Sequence, residues 1–485
     1  MDPTPKMKPG RRGRALALAA VLAFAISCRT ADREPEPPVE LPEAFSDTGG
    51  ATLDSRWWTE FDDPTLDALV EQALTGNFNL LVAWDRLAES QAIARKAGAA
   101  LTPDLDATAG AGAAATRSLV DTPAGEEVVR DKNANYSLGL VASWEVDVWG
   151  RVRAGRDAAA YDAVAAAEDV QATALILSAE IASTWYQLVE QTGRVRILTG
   201  QIETNERVLE FLEARFTRGR TGAVDVIQQR QLTESRRGDL TEAKAAMATT
   251  RLRLATLLGL PPGKELPEAP EDLVELPPLP ETGFPADLVR RRPDVRSAMN
   301  GVLAADRRVA AAVADRFPRL TLSASADTSA DNVSDLFENW IASIAAGLVA
   351  PIIDGGRRSA EVERTEAKAR AAVHRYGQAV LEALQEVEAA LVAERKQRDL
   401  IASLTVQLEL ARQSMDQLRQ NYTNGAVDYL RVLAALESVQ RLERTLLFQN
   451  RELITARIEL NRALAGGFPL ERPEGAAGSD EGVQP

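Results

Sequence analysis

The chain has 485 residues, of which 45% are apolar, and its 56 basic and 71 acidic side chains give a formal net charge of -15. This acidic balance argues against a nucleic-acid partner, because phosphate binding needs a basic surface. The single cysteine excludes an intrachain disulfide framework.

The N-terminus has the layout of an export signal. Basic residues come before an apolar run from Ala15 to Ser27, which is too short to span a bilayer as a helix. The run ends in Ala-Ile-Ser followed by Cys28, an arrangement that resembles a bacterial lipobox, in which the cysteine is lipidated. We therefore expect a signal peptide over 1–27, lipidation at Cys28, and a flexible, lipid-anchored tether over 28–50.

The rest of the chain consists of two similar halves. "RFTRGRTGAVDVIQ" (215–228) matches "QNYTNGAVDYLRVL" (420–433), so that Phe216 and Gly219 correspond to Tyr422 and Gly425 at an offset of 206 residues. The six positions 198, 202, 205, 209, 212 and 216 are spaced 4, 3, 4, 3 and 4 residues apart, and each recurs 206 residues later. This spacing predicts long coiled-coil helices, since it places one narrow apolar seam along each helix. The first helix would extend over roughly 60 residues, or about 90 Å.

Within each half, an alternation of apolar with polar or small residues predicts a β-hairpin, over 104–149 and over 319–354. Strands of about 8 to 13 residues are near the length that crosses a bilayer at a tilt. Four strands cannot close a barrel in one chain, so the missing strands must come from other copies. The interval from Pro103 to Gly150 is nine residues longer than the matching interval from Pro318 to Gly356.

A proline-rich linker over 261–285 separates the first repeat, 51–260, from the second, 286–468. The polar tail over 469–485 is expected to be disordered. The predicted fold class is mainly α with a membrane β-barrel portion, in which long coiled-coil helical hairpins in two tandem repeats accompany two β-hairpins.

Several sequence segments, in order over nearly the whole chain, carry a family resemblance. They are "WWTEFDDPTLDALVEQAL" (57–74), "SWEVDVWGRVR" (143–153), "LATLLGLPPG" (254–263), "FPADLVRRRPDVRSA" (284–298), "PIIDGGRRSAEVE" (351–363) and "RALAGGFP" (462–469). Together with the export signal and the tandem halves, they resemble the TolC-like outer-membrane factors, specifically the NodT-type lipoprotein branch that serves resistance-nodulation-division (RND) efflux pumps.

The resemblance implies a homotrimer in which each chain gives four strands to a twelve-stranded barrel, above a hollow periplasmic cylinder of helices. It implies a passive exit duct for small toxic compounds, lipid-anchored in the bacterial outer membrane and extending into the periplasm. A periplasmic adaptor protein would connect it to an inner-membrane RND pump. No catalytic site, cofactor or metal site is expected, and the single histidine, His374, is interpreted as a solvated or packed helical residue.

The resemblance further places the two turns at the periplasmic tips of the helices, where three chains would close the channel. Gly219 and Gly425 would end the helices, because glycine readily adopts positive φ. Asp225 matches a family position that bonds the tyrosine of the second turn, here Tyr422, so we hypothesise that this pair latches the closed tip. The alternative is that Tyr422 only completes the apolar seam and that Asp225 only begins a helix, where a carboxylate is favourable.

Three residues of the second turn bear on the charge of this candidate gate. Arg431 stands where relatives commonly carry an acid, and Val427 stands where they can carry arginine, while Asp428 is near enough to offset Arg431 in part. Since a threefold ring of acids favours cations, these departures predict a mouth that is less cation-selective. The alternative is a charge on a solvated helix face.

Other functions remain open at this stage. An exit duct for protein secretion or for metal ions would share the fold. A lipid-anchored structural coiled coil with no pore would share the helical seams but would lack alternating hairpins of membrane length. An enzyme is the least favoured class, because no catalytic or phosphate-binding motif is present.

Overall fold

The structure is a computed structural model that describes residues 36–52, 54–123 and 125–473. The expected signal peptide, Cys28 and most of the tail lie outside the described residues. Every element named below lies in one compact unit that begins at Pro37.

Helices account for most of the described residues. A short 3-10 helix, Trp57–Phe61, comes first. The α-helices are α1 (Pro64–Gly76), α2 (Phe78–Ala99), α3 (Arg151–Phe216), α4 (Ala223–Leu257), α5 (Pro285–Arg291), α6 (Pro293–Ala314), α7 (Arg357–Thr423) and α8 (Tyr429–Leu464). With 66 and 67 residues, α3 and α7 are each about 100 Å long. The prediction of a mainly helical fold with very long paired helices is confirmed.

Both long helices begin in the same way. Gly150 and Gly356, immediately before them, have φ angles of 78° and 84°. In α3 the carboxylate of Asp147 accepts hydrogen bonds from the backbone N–H groups of Val152 and Arg153 at 3.0 and 2.8 Å. Before α7, the carboxylate of Asp354 accepts hydrogen bonds from the backbone N–H groups of Gly356 and Arg358 at 3.1 and 3.3 Å. A side-chain acceptor at this point satisfies N–H groups that lack a partner within the helix.

Four antiparallel strands form one sheet, in chain order: β1 (Asp104–Thr122), β2 (Gly125–Val146), β3 (Arg319–Ala330) and β4 (Trp340–Val349). The second hairpin, with strands of 12 and 10 residues, matches the predicted length. The first is longer than predicted, with strands of 19 and 22 residues. This is because β1 pairs with β2 along its whole length, whereas β3 pairs only with Tyr136–Val146 of β2.

The register gives the sheet two different faces, because residues directly opposite each other in neighbouring strands project to the same side. One face is apolar: Leu105, Ala107, Ala109, Leu138, Leu140, Ala142, Leu322, Ala324, Ala326, Trp340, Ile344 and Leu348. The other is mostly polar or small: Asp106, Thr108, Gly110, Ser137, Gly139, Ser143, Thr321, Ser323, Ser325, Asp327 and Ser343. The apolar face is exposed in the single chain, with Ile344 at 88% of its full exposure. Among the described residues, no helix is both long enough and apolar enough to cross a membrane.

The hydrophobic core lies where the shorter helices pack against the long ones. One cluster surrounds Trp57, Trp58, Trp185 and Tyr186, which are almost completely buried. A second cluster joins α5 and α6 to α7 and the end of α8. The two clusters hold the middle of α3 and the middle of α7 against the shorter helices.

The segment before residue 51 differs from the expected flexible tether. From Pro37 onwards it is packed, with Val39, Leu41 and Phe45 against the second cluster. Asp47 also forms an ion pair of 2.9 Å with Arg395 of α7. Proline and acidic residues made the segment resemble a disordered chain, but its three spaced apolar side chains are partly buried against the helices.

The proline-rich linker is extended but also packed. Leu266, Leu273 and Leu276 lie against the first cluster. The buried guanidinium of Arg457 donates to the carbonyl oxygens of Pro277 and Pro278 at 2.9 and 3.0 Å, and it pairs with the buried carboxylate of Glu394 at 2.6 Å. Proline carbonyls without local partners are thus satisfied by one arginine from α8.

The described start of the expected tail, residues 469–473, is also held in place. Leu470 packs against the first cluster, and Arg472 pairs with Asp85 of α2 at 2.6 Å.

Candidate functional site at the helix tips

The two turns that join the long helices to their partners have the same backbone geometry. In the first, Arg220 N–H bonds to the Arg215 carbonyl at 2.9 Å and Gly219 N–H bonds to the Phe216 carbonyl at 2.9 Å. The second turn repeats both bonds 206 residues later. Gly219 and Gly425 have φ angles of 68° and 77°. This is the Schellman ending of a helix, in which glycine takes the left-handed position.

The structure brings Asp225 and Tyr422 together through a third residue, Thr221. The Thr221 hydroxyl donates to Asp225 Oδ2 at 2.5 Å and lies 3.1 Å from the Tyr422 hydroxyl. Since the single hydroxyl hydrogen of Thr221 is used on Asp225, Tyr422 donates to Thr221. We name these three residues the tip link. It joins the start of α4 to the end of α7 within one chain.

Aromatic and cationic groups surround the tip link. The Arg215 guanidinium lies 4.9 Å from the centre of the Tyr422 ring, and Tyr429 meets that ring nearly edge-on, with the centroids 5.6 Å apart. The Tyr429 hydroxyl donates to Gln229 Oε1 at 2.5 Å, and burial raises the pKa of Tyr429 above its ordinary value. Tyr429 therefore stays protonated and serves as a donor.

From Gln229 a line of buried polar groups continues away from the tip between α3, α4 and α8. Gln229 Nε2 donates to the Asn205 carbonyl at 2.9 Å, and Gln440 Nε2 donates to Asn205 Oδ1 at 2.8 Å. Arg236 Nε reaches Gln440 Oε1 at 3.1 Å, and Gln201 Nε2 reaches the Gln440 carbonyl at 3.0 Å. We call this line the polar seam; Gln229 and Asn205 in it are completely buried.

Sequence reasoning identified both ends of the tip link but missed Thr221 and the polar seam. Asn205 occupies one of the 4-3 spaced seam positions, and a polar residue at such a position was the available signal. Thr221 carried no comparable signal, since its role depends on Tyr422 approaching from 201 residues away.

The three residues of the second turn lie in different surroundings. Val427 packs against the apolar cluster at the tips, which includes Leu212, Val226 and Tyr422. Asp428 caps α8, because its Oδ1 accepts from the backbone N–H of Arg431 at 3.2 Å. The Arg431 side chain is exposed, and it has no ion-pair partner within the described part of the chain. Its charge is therefore available to solvent, with Asp428 one turn away.

His374 is an exposed residue of α7. Among residues 36–52, 54–123 and 125–473, no group of three or more His, Cys, Asp or Glu side chains is arranged to hold a metal ion.

Comparison with known proteins assigns this architecture to a family. The family model described as "Outer membrane efflux protein" matches residues 69–260 and 285–466. The pyoverdine export outer membrane protein OpmQ of Pseudomonas aeruginosa is 33% identical over 435 residues, which cover 88% of this chain and 90% of OpmQ. The cation efflux system protein CusC of Escherichia coli K12 is 26% identical over 457 residues, covering 91% and 96%. The solved outer-membrane channel OprN is 28% identical and superimposes with a TM-score of 0.82 over 90% of this chain and 99% of OprN.

Proposed function

This chain belongs to the outer membrane efflux protein family, and on that basis we propose that it is the outer-membrane exit duct of a tripartite RND efflux system. The observation that carries the proposal is the sheet with one apolar and one polar face, open at β1 and at β4. Such a sheet can lie in a bilayer only if its edges are paired, with the apolar face toward lipid.

We propose that three copies pair β4 of one chain with β1 of the next, which gives twelve strands around a lumen lined by the polar face. Long helices below the sheet would then continue the lumen into the periplasm. An adaptor and an inner-membrane pump would supply the other two parts, and the pump would supply the energy.

The test is a deletion strain that retains the adaptor and pump genes. Wild-type protein should restore resistance to a panel of toxic organic compounds, and purified protein should form trimers that conduct ions in planar bilayers. Metal salts are included in the panel, because CusC is named for cation efflux. Protein secretion by the same strains is measured separately. Resistance to metal salts alone would assign the duct to metal efflux. Absence of trimers and of conductance would contradict the proposal.

The tip link is proposed to hold the tip of the duct closed. Tyr422→Phe removes the donor to Thr221, and Thr221→Val removes the bridge, so each variant should raise ion leakage through the closed trimer. Thr217→Val is the matched control, because among the described residues the Thr217 hydroxyl bonds only to the Ala214 carbonyl at the end of α3. Equal conductance of all variants and the wild type would mean that the link only completes the packing of the tip.

Arg431 is proposed to make the mouth less cation-selective, since three copies would place a ring of positive charge there. Arg431→Asp should increase the permeability ratio of K⁺ to Cl⁻ in bilayer recordings made at unequal salt concentrations. An unchanged ratio would place the Arg431 charge outside the ion path.

A further inference from the structure

The apolar face of the sheet carries aromatic residues toward both of its ends. Trp144 lies near the end that meets the helices, and its indole N–H donates to the Leu101 carbonyl at 3.1 Å. Tyr136 and Trp340 lie at the opposite end and project to the same face. Between Val146 and Tyr136 the strand is about 33 Å long, which gives about 25 Å of height at a tilt of about 40°. In the proposed duct these rings would mark the two surfaces of the bilayer, as aromatic girdles do in membrane barrels.

The first hairpin continues beyond the outer aromatic level, whereas the second ends at it. Ala330, the last residue of β3, pairs with Tyr136. On the continuing ribbon Lys132, Arg117 and Arg130 project to the same side as Tyr136, because successive even steps along a strand keep one face. All three basic residues are exposed. The face that would meet lipid thus becomes basic two rows beyond Tyr136.

The three basic residues form a compact group of like charges, which we call the basic triangle. Arg117 and Arg130 are directly opposite each other, so their Cβ atoms are about 5 Å apart. Lys132 is two residues from Arg130 on the same face, about 7 Å away. Like charges opposite each other on neighbouring strands are destabilising. None of the three side chains has an ion-pair or hydrogen-bond partner within the described part of the chain, so an anion bound between them would remove a repulsion that the chain itself leaves in place.

Neighbouring acidic residues do not supply that anion. Asp131 projects to the opposite, polar face, where it accepts a hydrogen bond from the Asn133 amide at 3.1 Å. Asp121 and Glu126 share the face of the basic triangle, but they pair four residues farther along each strand, about 13 Å away. The turn of the second hairpin, 331–339, contains three acidic residues and no basic one. The second hairpin therefore has no counterpart of the basic triangle at this level.

The basic triangle lies at the height of lipid headgroups. Lys132 and Arg130 are four and six residues beyond Tyr136, which corresponds to about 10 and 15 Å of height at the same tilt. The polar zone of a bilayer is about 5–8 Å thick on each side. Long lysine and arginine side chains extend over such distances with their charged ends in the polar zone. The charged groups can therefore reach the headgroups of the outer leaflet.

We propose that the basic triangle binds the phosphate group of an anionic lipid in the outer leaflet of the outer membrane. This inference rests on the trimeric duct proposed above, which turns the apolar face and the basic triangle toward lipid. The two guanidinium groups present forked N–H donors to the phosphate oxygens, and the Lys132 ammonium adds a third positive charge. A trimer would hold three such lipids, one beside each ribbon, and they would fix the height of the ribbons above the bilayer.

Native mass spectrometry of the purified wild-type trimer in detergent tests this binding. The probe is bis-phosphorylated lipid A, and the control is the same lipid after enzymatic removal of its phosphates. We expect up to three phosphorylated lipids on each trimer, bound at least about tenfold more tightly than the dephosphorylated lipid. Equal binding of the two lipids overturns the proposal. Inorganic phosphate should not displace the lipid, because it has no acyl chains to bury; displacement at equal concentration would indicate a site for free anions and would also overturn it.

Removal of the basic triangle is the second arm of the test. The variant carries three changes, Arg117→Gln, Arg130→Gln and Lys132→Gln. Each basic residue near an anionic lipid surface contributes about fivefold to binding, so we expect the phosphorylated lipid to bind about 100-fold more weakly. The matched control makes the same change in net charge at exposed positions of the helix tips, through Arg218→Gln, Arg220→Gln and Arg419→Gln. An equal loss of binding in the control would mean that only net charge matters, and it would overturn the proposal.

The two arms keep this inference separate from the proposed function. If the variant without the basic triangle forms no trimers, the comparison of the two lipids on wild-type protein still decides the question, because it needs no substitution. Wild-type protein that forms no trimers and conducts no ions would contradict the duct function itself. Trimers that conduct ions but bind both lipids equally would leave the duct function intact and remove only the lipid site.

Discussion

The sheet and the helical middle of this chain reach their structures by different routes. The middle buries its own tryptophans, leucines and even the arginine Arg457 within one chain. The sheet has a complete apolar face, yet strand β4 is exposed at every position. The difference teaches that a single copy covers its helical middle but leaves the apolar face of the sheet and its two edge strands uncovered, as the proposed trimer in a bilayer requires.

The largest effect is expected from a charge placed on the apolar face of the sheet. Ile344→Lys puts a charge near the middle of β4 on the apolar face, where a charge facing lipid costs about 2–4 kcal/mol in each copy. We expect loss of heat-resistant trimers from the outer-membrane fraction. Ser343→Lys, on the adjacent residue and the opposite face, should leave trimers intact. Equal effects of the two variants would contradict the assignment of the faces.

Arg457 tests the helical middle. Arg457→Met leaves the buried Glu394 carboxylate and two linker carbonyls without this donor, so we expect a loss of about 3–5 kcal/mol in unfolding free energy. Arg398→Met removes a half-exposed arginine that also bonds Glu394, and it should cost less than about 1 kcal/mol. Urea unfolding of the purified protein measures both. Similar losses of unfolding free energy in the two variants would mean that the burial of Arg457 does not account for the contribution of its ion pair with Glu394.

The polar seam gives an intermediate effect. Gln201→Ala removes a buried amide that bonds Gln440 and Arg444 of α8, and we expect a loss of about 1–3 kcal/mol together with increased ion leakage. Gln407→Ala is the matched control 206 residues away, where the exposed amide donates to the Ser403 hydroxyl of the same helix. A leakage as large in Gln407→Ala would mean that the effect does not come from the loss of hydrogen bonds in the polar seam.

The smallest expected effect concerns a buried carboxyl of α3. Burial raises the pKa of Glu190, although Arg451 and Arg194 oppose the change. A raised pKa stabilises the folded state when Glu190 is protonated, below its unfolded pKa, and this contribution is lost as the pH rises through the folded pKa. Glu190→Gln should therefore stabilise the protein more at pH 8 than at pH 4, and the difference in unfolding free energy should be on the order of 1 kcal/mol or less. Thermal unfolding at the two pH values measures it. Glu203→Gln, the same change at an exposed position of the same helix, is the matched control.

Local patterns predicted the elements that depend on local spacing. The 4-3 repeat predicted α3 and α7, the glycines at 219 and 425 predicted the turns, and the alternation predicted both hairpins. The offset of 206 residues also matched Tyr422 of the second turn to Phe216 of the first. These features could be predicted because each is decided by residues within a few turns or one strand.

Features decided by distant contacts were not predicted. Residues 37–50 look disordered by composition, and only the packed second cluster shows why Val39 and Phe45 are partly buried. Thr221 gains its role from the hydroxyl of Tyr422, and Gln440 gains its role from Asn205. In each case the deciding partner lies more than 200 residues away in the sequence. The internal repeat relates equivalent positions of the two halves, but it does not say which residues contact each other.

The unequal hairpins have a consequence for how the protein meets its surroundings. In the first hairpin, residues 112–122 of β1 pair with residues 125–135 of β2, beyond the last row in which β3 takes part, and they lie at the end of the sheet opposite the helices. In an assembled duct three such ribbons would stand on the outside of the cell. They would be the first part of the protein that an antibody or a bacteriophage encounters. Their tip is where an epitope tag could report the protein on intact, living bacteria.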